Sequence, residues 1–222
     1  MVLPLRAHHA QAERFRRQAQ MSRPRKKRLW QSIVQAKIRA QALVLEQATG
    51  TDEGLRALAP RVRSGDAGNL EARAARHYWA LLFPDSGFRR RDEADVRNHL
   101  LNYGYGVLRS MTARAICGAG LHPSLSLFHS NVHNPFGLAD DLMEPFRPIV
   151  DLSVHGMIEA ALTPQSKRAL ISALLGRYMA DGEQRTLPDV LVRAAQSLAH
   201  AVLDERRKLW LPELRGIPSQ AS

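Results

Sequence analysis

The sequence predicts an all-α fold, broken by at most one short β-hairpin near residues 179–187. Three observations carry that prediction. Apolar residues recur three or four apart along nearly every periodic segment, which is the spacing of one helix face. The segments are bounded by helix signals, with glycine stops such as Gly50 and the start Thr163-Pro164. Composition is that of an ordinary globular protein, 45% hydrophobic and 24% charged over 222 residues.

Taken in order, residues 1–22 read as a linker followed by a first basic helix. Trp30, Ile33, Val34, Ile38, Ala42 and Leu45 then line one face of a long helix, stopped by Gly50-Thr51-Asp52. Asn69 to Phe83 forms a further helix, opened by Gly68-Asn69 and closed by Pro84. Val96, Leu100, Tyr103, Val107, Met111 and Ala115 place a long helix over about 92–117, ended by Gly118-Ala119-Gly120. Gly104 and Gly106 inside it cost about 1 kcal/mol each relative to alanine, and close helix packing is the preferred reason for them. From Gly120 to Leu138 the period is lost, and His122-Pro123 and Pro135 mark an extended, ordered loop.

The next helix runs over about 139–162, with Pro145 and Pro148 near its start, and another runs from Thr163-Pro164 to about Met179. Asp181-Gly182 supplies a tight turn for the hairpin. Leu187, Leu191, Ala194, Leu198 and Val202 line the last long helix. The main helical domain is thus expected over 23–211, with 212–222 as a flexible polar tail.

Charge narrows the partner class. There are 32 Lys and Arg against 21 Asp and Glu, a formal charge of +11. Through Gly50 there are 11 basic residues against Glu13 and Glu46 alone, and Arg23, Arg25, Lys26, Lys27 and Arg28 form the densest run. Such a cluster suits phosphates and the release of their counterions, or it is a solvated helix start. Cys117 is the one cysteine, so no internal disulfide forms, and a reducing cytoplasm fits. The apolar Val2–Leu5 is too short for a signal peptide, and no stretch is long enough to span a membrane.

Four positions stand out as candidates for chemistry. Glu71 lies near the small-residue face of its helix, with Ala75, Tyr78 and Trp79 following at helical spacing. It is either functional or a first-turn carboxylate favoured by the helix dipole. His129 lies in the polar loop, with His133 as an alternative. Asp141 and Glu144 are three apart on one helix face, where two carboxylates repel unless water or a cation separates them. Asp140 projects elsewhere, as a cap or surface group. Two or three carboxylates with one imidazole suit magnesium or manganese, manganese tolerating the nitrogen better. Thiolates or further histidines would be needed for structural zinc. Glu71 and His129 are 58 positions apart, so the fold has to bring them together.

The wording of the sequence says more than its spacing. The blocks Asn69-Leu70-Glu71-Ala72-Arg73-Ala74-Ala75-Arg76-His77-Tyr78-Trp79, Leu101-Asn102-Tyr103-Gly104-Tyr105-Gly106-Val107-Leu108-Arg109-Ser110, Gly120-Leu121-His122-Pro123, Phe128-His129-Ser130-Asn131 and Leu138-Ala139-Asp140-Asp141-Leu142-Met143-Glu144-Pro145-Phe146-Arg147-Pro148 resemble the signature blocks of the CRISPR-associated integrase, in that family's order. The flavour is that of the type II systems, and the resemblance runs from about Leu5 to Pro212.

This resemblance implies a helical catalytic domain and a metal-dependent DNA endonuclease and integrase of spacer acquisition. Carried over position by position, it implies Glu71, His129 and Glu144 as ligands of magnesium or manganese, with Asp141 beside them. It also implies DNA as substrate (spacer precursor and repeat) and a small ferredoxin-like protein as partner. Arg73, Arg76 and Arg109 would join the basic segment in touching DNA, with structural salt bridges as the alternative. The β-rich N-terminal domain of family members has no counterpart here, and Val2-Leu3-Pro4-Leu5 resembles the end of its last strand. That departure puts the family's homodimer in doubt for this chain. Competing expectations are a DNA-binding remnant without catalysis and a helical interaction protein whose carboxylates are caps.

Overall fold

The computed structural model describes residues 11–84, 87–90, 92–129, 131, 133–157 and 161–216. The reading of Val2–Leu5 and the last residues of the polar tail lie outside them. Eight α-helices and a three-stranded sheet make up the described architecture. Among the described residues no helix is long and apolar enough to cross a membrane.

Helix α1 (Gln11–Ala19) is the expected basic helix. Helix α2 (Arg23–Thr49) is the spine of the fold. Ser22 starts it by accepting from the Arg25 N–H, Pro24 stands in its first turn, and Gly50 ends it at φ 86. Its buried side chains include Trp30, Ile33, Val34, Ile38, Ala42 and Leu45, the stripe that the period predicts. Helix α3 (Leu70–Leu82) and helix α6 (Arg147–His155) pack against it. Helix α4 (Val96–Gly118) packs on α6, on α5 (Gly137–Met143), on α7 (Pro164–Leu174) and on α8 (Leu187–Leu203).

Three differences from the sequence reading have local causes. The helix expected over 139–162 is two helices, because Pro145 and Pro148 leave 144–146 as a single 3₁₀ turn between α5 and α6. The helix expected to reach Met179 stops at Leu174, and the chain turns into β1 (Arg177–Ala180) and β2 (Glu183–Thr186) around Asp181-Gly182. Finally, the tail does not begin at Pro212. Leu214 and Arg215 form β3, antiparallel to β1 with Ala180 opposite Leu214, and Leu214 is buried. The sheet order is β2-β1-β3.

Gly104 and Gly106 separate cleanly. A Cβ on Gly104 would lie 2.4 Å from Val150 Cγ1, so glycine is what lets α4 approach α6 there. A Cβ on Gly106 would meet nothing within 4 Å. Gly106→Ala should therefore raise thermal stability by up to about 1 kcal/mol through helix propensity. Gly104→Ala should lower it, since overpacking costs about 1–3 kcal/mol. Thermal denaturation of the two variants checks the opposite signs.

Candidate metal and DNA site

The site is assembled along one face of α2. Asp66 positions Glu71 by accepting from the Leu70 N–H and the Glu71 N–H, both at 2.9 Å, at the start of α3. Glu144 enters from the 3₁₀ turn between α5 and α6 and is buried. Between them stands Lys37 of α2, with Nζ 2.6 Å from Glu71 Oε1 and 2.5 Å from Glu144 Oε2. The other oxygen of Glu144 accepts from Arg147 at 2.6 Å. Burial alone would raise the Glu144 pKa, but Arg147 and Lys37 outweigh it and hold the carboxyl down at about 2. Those same carboxylates hold the Lys37 ammonium above its usual range against the cost of burial.

Arg147 is itself fixed from behind. Its guanidinium lies 4.1 Å from the centre of the Tyr105 ring. Tyr105 donates its hydroxyl to Asp151, and Tyr78 donates to the other oxygen of Asp151 at 3.0 Å. The close approach at Gly104 puts Tyr105 against α6, which carries Asp151. Burial outweighs these hydrogen bonds and pushes the Asp151 carboxyl up to about 6.

His129 is held by Asp141. Asp141 is fully buried and accepts from the N–H groups of Leu127 at 2.6 Å, Phe128 at 3.0 Å and His129 at 3.2 Å. It also pairs with His129 Nδ1 at 2.7 Å. That bond leaves Nε2 as the outward nitrogen. Trp30 fixes the ring plane, packing edge-on to His129 at 5.2 Å and flat on Phe128 at 4.5 Å. The Asp141 hydrogen bond raises the His129 pKa against partial burial, and the charges of Asp141, Glu144 and Glu71 add to the rise. Gly137 permits this arrangement, since a Cβ there would press within 3.0 Å of Ser126 and 3.3 Å of the His129 carbonyl.

The four expected residues are thus gathered: Glu71 and Glu144 share one ammonium, and Asp141 and His129 form a pair whose imidazole feels both charges. His133 is exposed and apart, with its N–H bonded to Asn131. Among the described residues, no three His, Cys, Asp or Glu side chains stand ready to hold a metal as they are. The donor set nevertheless fits a divalent ion: two carboxylates converge on a cation, and an oriented imidazole stands nearby.

The basic residues divide. Arg25 is a correction to the sequence reading. It is buried, and its guanidinium donates to the carbonyls of Ala201 at 2.8 Å and Arg207 at 2.7 Å, closing the end of α8. Arg23, Lys27 and Arg28 are exposed and Lys26 half-buried, with Arg28 3.4 Å from Glu205. Arg109 is 3.8 Å from Asp140 and leans on Phe136, with its side chain partly exposed. Arg73 and Arg76 are exposed on α3. Arg73 shares an open groove of about 860 Å³ with Arg61 and Arg63, lined mostly by the segment before α3 and, at one end, by Leu70 and Arg73 of the helix turn that also carries Glu71. Sequence reasoning gave Lys37, Asp151, Arg61 and Arg63 no part in the site, and read Trp30 only as a member of the apolar stripe.

The family model "CRISPR associated protein Cas1" matches residues 2–170. The chain belongs to the Cas1 family. A CRISPR-associated endonuclease Cas1 from Neisseria meningitidis is 41% identical over 221 residues, covering 96% of this chain and 72% of the relative. A second, from Pyrobaculum aerophilum, is 34% identical over 163 residues, covering 70% of this chain and 55% of the relative. Among solved structures, a casposase bound to integration product superposes with a TM-score of 0.75 at 22% identity, covering 94% of this chain and 73% of that one. A Cas1 protein from Thermotoga maritima superposes at 0.67 and 18% identity, covering 88% and 70%. These structural likenesses establish the fold, the mainly helical Cas1 architecture that the sequence words predicted.

Proposed function

We propose that this chain carries the catalytic centre of a divalent-metal-dependent DNA endonuclease and integrase that inserts spacer DNA into a CRISPR repeat array. Family membership places it among CRISPR-associated endonucleases. The observation that supports the metal-dependent reading is the convergence of Glu71 and Glu144 on one positive charge, with His129 oriented beside them. Glu71, Glu144 and His129 Nε2 would hold magnesium or manganese. Bound there, the ion would polarise the phosphate and neutralise charge in an in-line displacement.

The chain's own groups do the rest. Asp141 keeps Nδ1 of His129 engaged and so directs Nε2. Asp66 fixes the start of α3 and with it Glu71. Arg61, Arg63 and Arg73 would bind phosphates of a strand led along their groove, without reading sequence. A 3′-hydroxyl arriving at the phosphodiester would give strand transfer, with the 3′-oxygen of the cut strand leaving; water in its place would give cleavage. A small ferredoxin-like partner fits this reading, and a solved Cas6-RT-Cas1–Cas2 complex, whose name joins Cas1 with Cas2, superposes with a TM-score of 0.71. The reading as a non-catalytic remnant is not favoured, since the acidic pair, the imidazole and their buried supports are all present.

The test is a strand-transfer and cleavage assay of the purified chain with manganese. Glu71→Ala and His129→Ala should each reduce both reactions by at least about 10²-fold, while retention of DNA and its steep salt dependence persist. Wild-type rates in both variants would reject the catalytic assignment.

A further inference from the structure

Lys37 is a buried cation inside the group of residues proposed to bind one. Its side chain is 11% exposed, and its ammonium touches both Glu71 and Glu144. No further hydrogen bond or ion pair of Nζ occurs among the described residues. Glu144 Oε2 is buried and, apart from facing Lys37, has no partner.

Count the charges at the carboxylates. Glu71 and Glu144 are matched one for one by Lys37 and Arg147, and the further carboxylates, Asp141 on His129 and Asp151 behind Arg147, do not reach the oxygens that Lys37 occupies. A second cation brought to the same oxygens would be repelled at contact distance in a poorly hydrated place. One of the two basic groups must therefore give way. Arg147 is held against Tyr105, which Asp151 holds in turn, and it grips the far oxygen of Glu144. Lys37 is held by the carboxylates alone, on a flexible four-carbon stem.

We infer that Lys37 is the resident cation of this site: it keeps Glu71 and Glu144 together without metal and is displaced from between them when a divalent ion binds. The inference rests on the proposed metal function. Lys37 acts here as a positioning residue that sets how tightly the metal is held. It also gives the bound form a mobile ammonium beside the phosphate-binding surface.

The test uses the full chain and manganese as the probe, with free manganese read by electron paramagnetic resonance. Lys37→Met removes the competing charge and keeps the stem. It should bind manganese roughly tenfold or more tightly than wild type, melt lower without metal, and gain more in melting temperature on adding it. Lys37→Arg, which keeps the charge, should restore weak binding. A second measurement needs no variant. Acylation of wild-type lysines, mapped by mass spectrometry, should leave Lys37 protected without manganese and label it once manganese is saturating.

Equal manganese affinity in wild type and Lys37→Met would overturn displacement while leaving the metal site standing. Unchanged protection of Lys37 at saturating manganese would do the same. No manganese binding by either protein would remove the metal reading itself, and this inference with it.

Discussion

Asp141→Ala is expected to abolish metal-dependent cleavage and to destabilise the chain by about 3 kcal/mol or more. The carboxylate is fully buried and accepts three backbone N–H groups of residues 127–129 in addition to His129 Nδ1. Alanine leaves those donors without an acceptor and frees the imidazole to rotate. Hydrogen bonds to an ionised acceptor are among the stronger ones, so the loss exceeds that of a neutral cap.

Asp141→Asn separates charge from geometry. Asp141 raises the His129 pKa, so the protonated pair stabilises the fold below the ordinary histidine range and this contribution fades as pH rises through the raised value. Metal binding has the opposite sign, because the ligand is neutral imidazole. Apparent manganese affinity in wild type should rise with pH through that raised pKa. In Asp141→Asn the rise should move to lower pH. Urea denaturation and manganese titration at several pH values check both, and an unmoved midpoint would show that Asp141 does not govern the imidazole.

Glu144→Ala is expected to be the most destabilising change in the acidic pair, at about 3–5 kcal/mol. It strips Arg147 of the carboxylate it grips, leaving that guanidinium only the Tyr105 ring and the charge of Asp151, and leaves the buried Lys37 ammonium with Glu71 alone. Glu71→Ala removes a more exposed carboxylate and leaves Lys37 paired with Glu144, so it should cost markedly less. Adding Lys37→Met to Glu144→Ala removes two groups that touch each other, so the double variant should lose less than the sum of the two single losses. Chemical denaturation of the single and double variants measures this coupling; strictly additive effects would contradict it. The Glu144 carboxyl is depressed to about 2, so its contribution is present above the ordinary glutamate pKa and is lost as pH falls towards 2.

Much of the site was legible from residue types. Glu71, Asp141 and Glu144 are carboxylates near apolar sequence, His129 lies in a polar loop, and the family wording selected the same four. Lys37 carried a signal too. It falls seven after Trp30 and four after Ile33, so it lies on the apolar stripe of α2 rather than on the solvated face. Asp151 sits in the apolar run Ile149-Val150-Asp151-Leu152 and could have been found in the same way. Arg25 was misread because a basic run does not announce which member turns inward. Its place four before Leu29 puts it on the buried face of α2.

The sequence by itself determined most of the helices, the stop at Gly50 and the start at Thr163-Pro164, the hairpin turn and the stripe along α2. These follow from interactions within a few residues, where periodicity and side-chain type suffice. Only the tertiary structure decided that Leu214 joins β1, that Arg25 closes α8, and that one lysine stands between two carboxylates 73 positions apart. Those pairings depend on how whole helices pack. The balance between burying a charge and finding it a partner is settled only when distant segments meet.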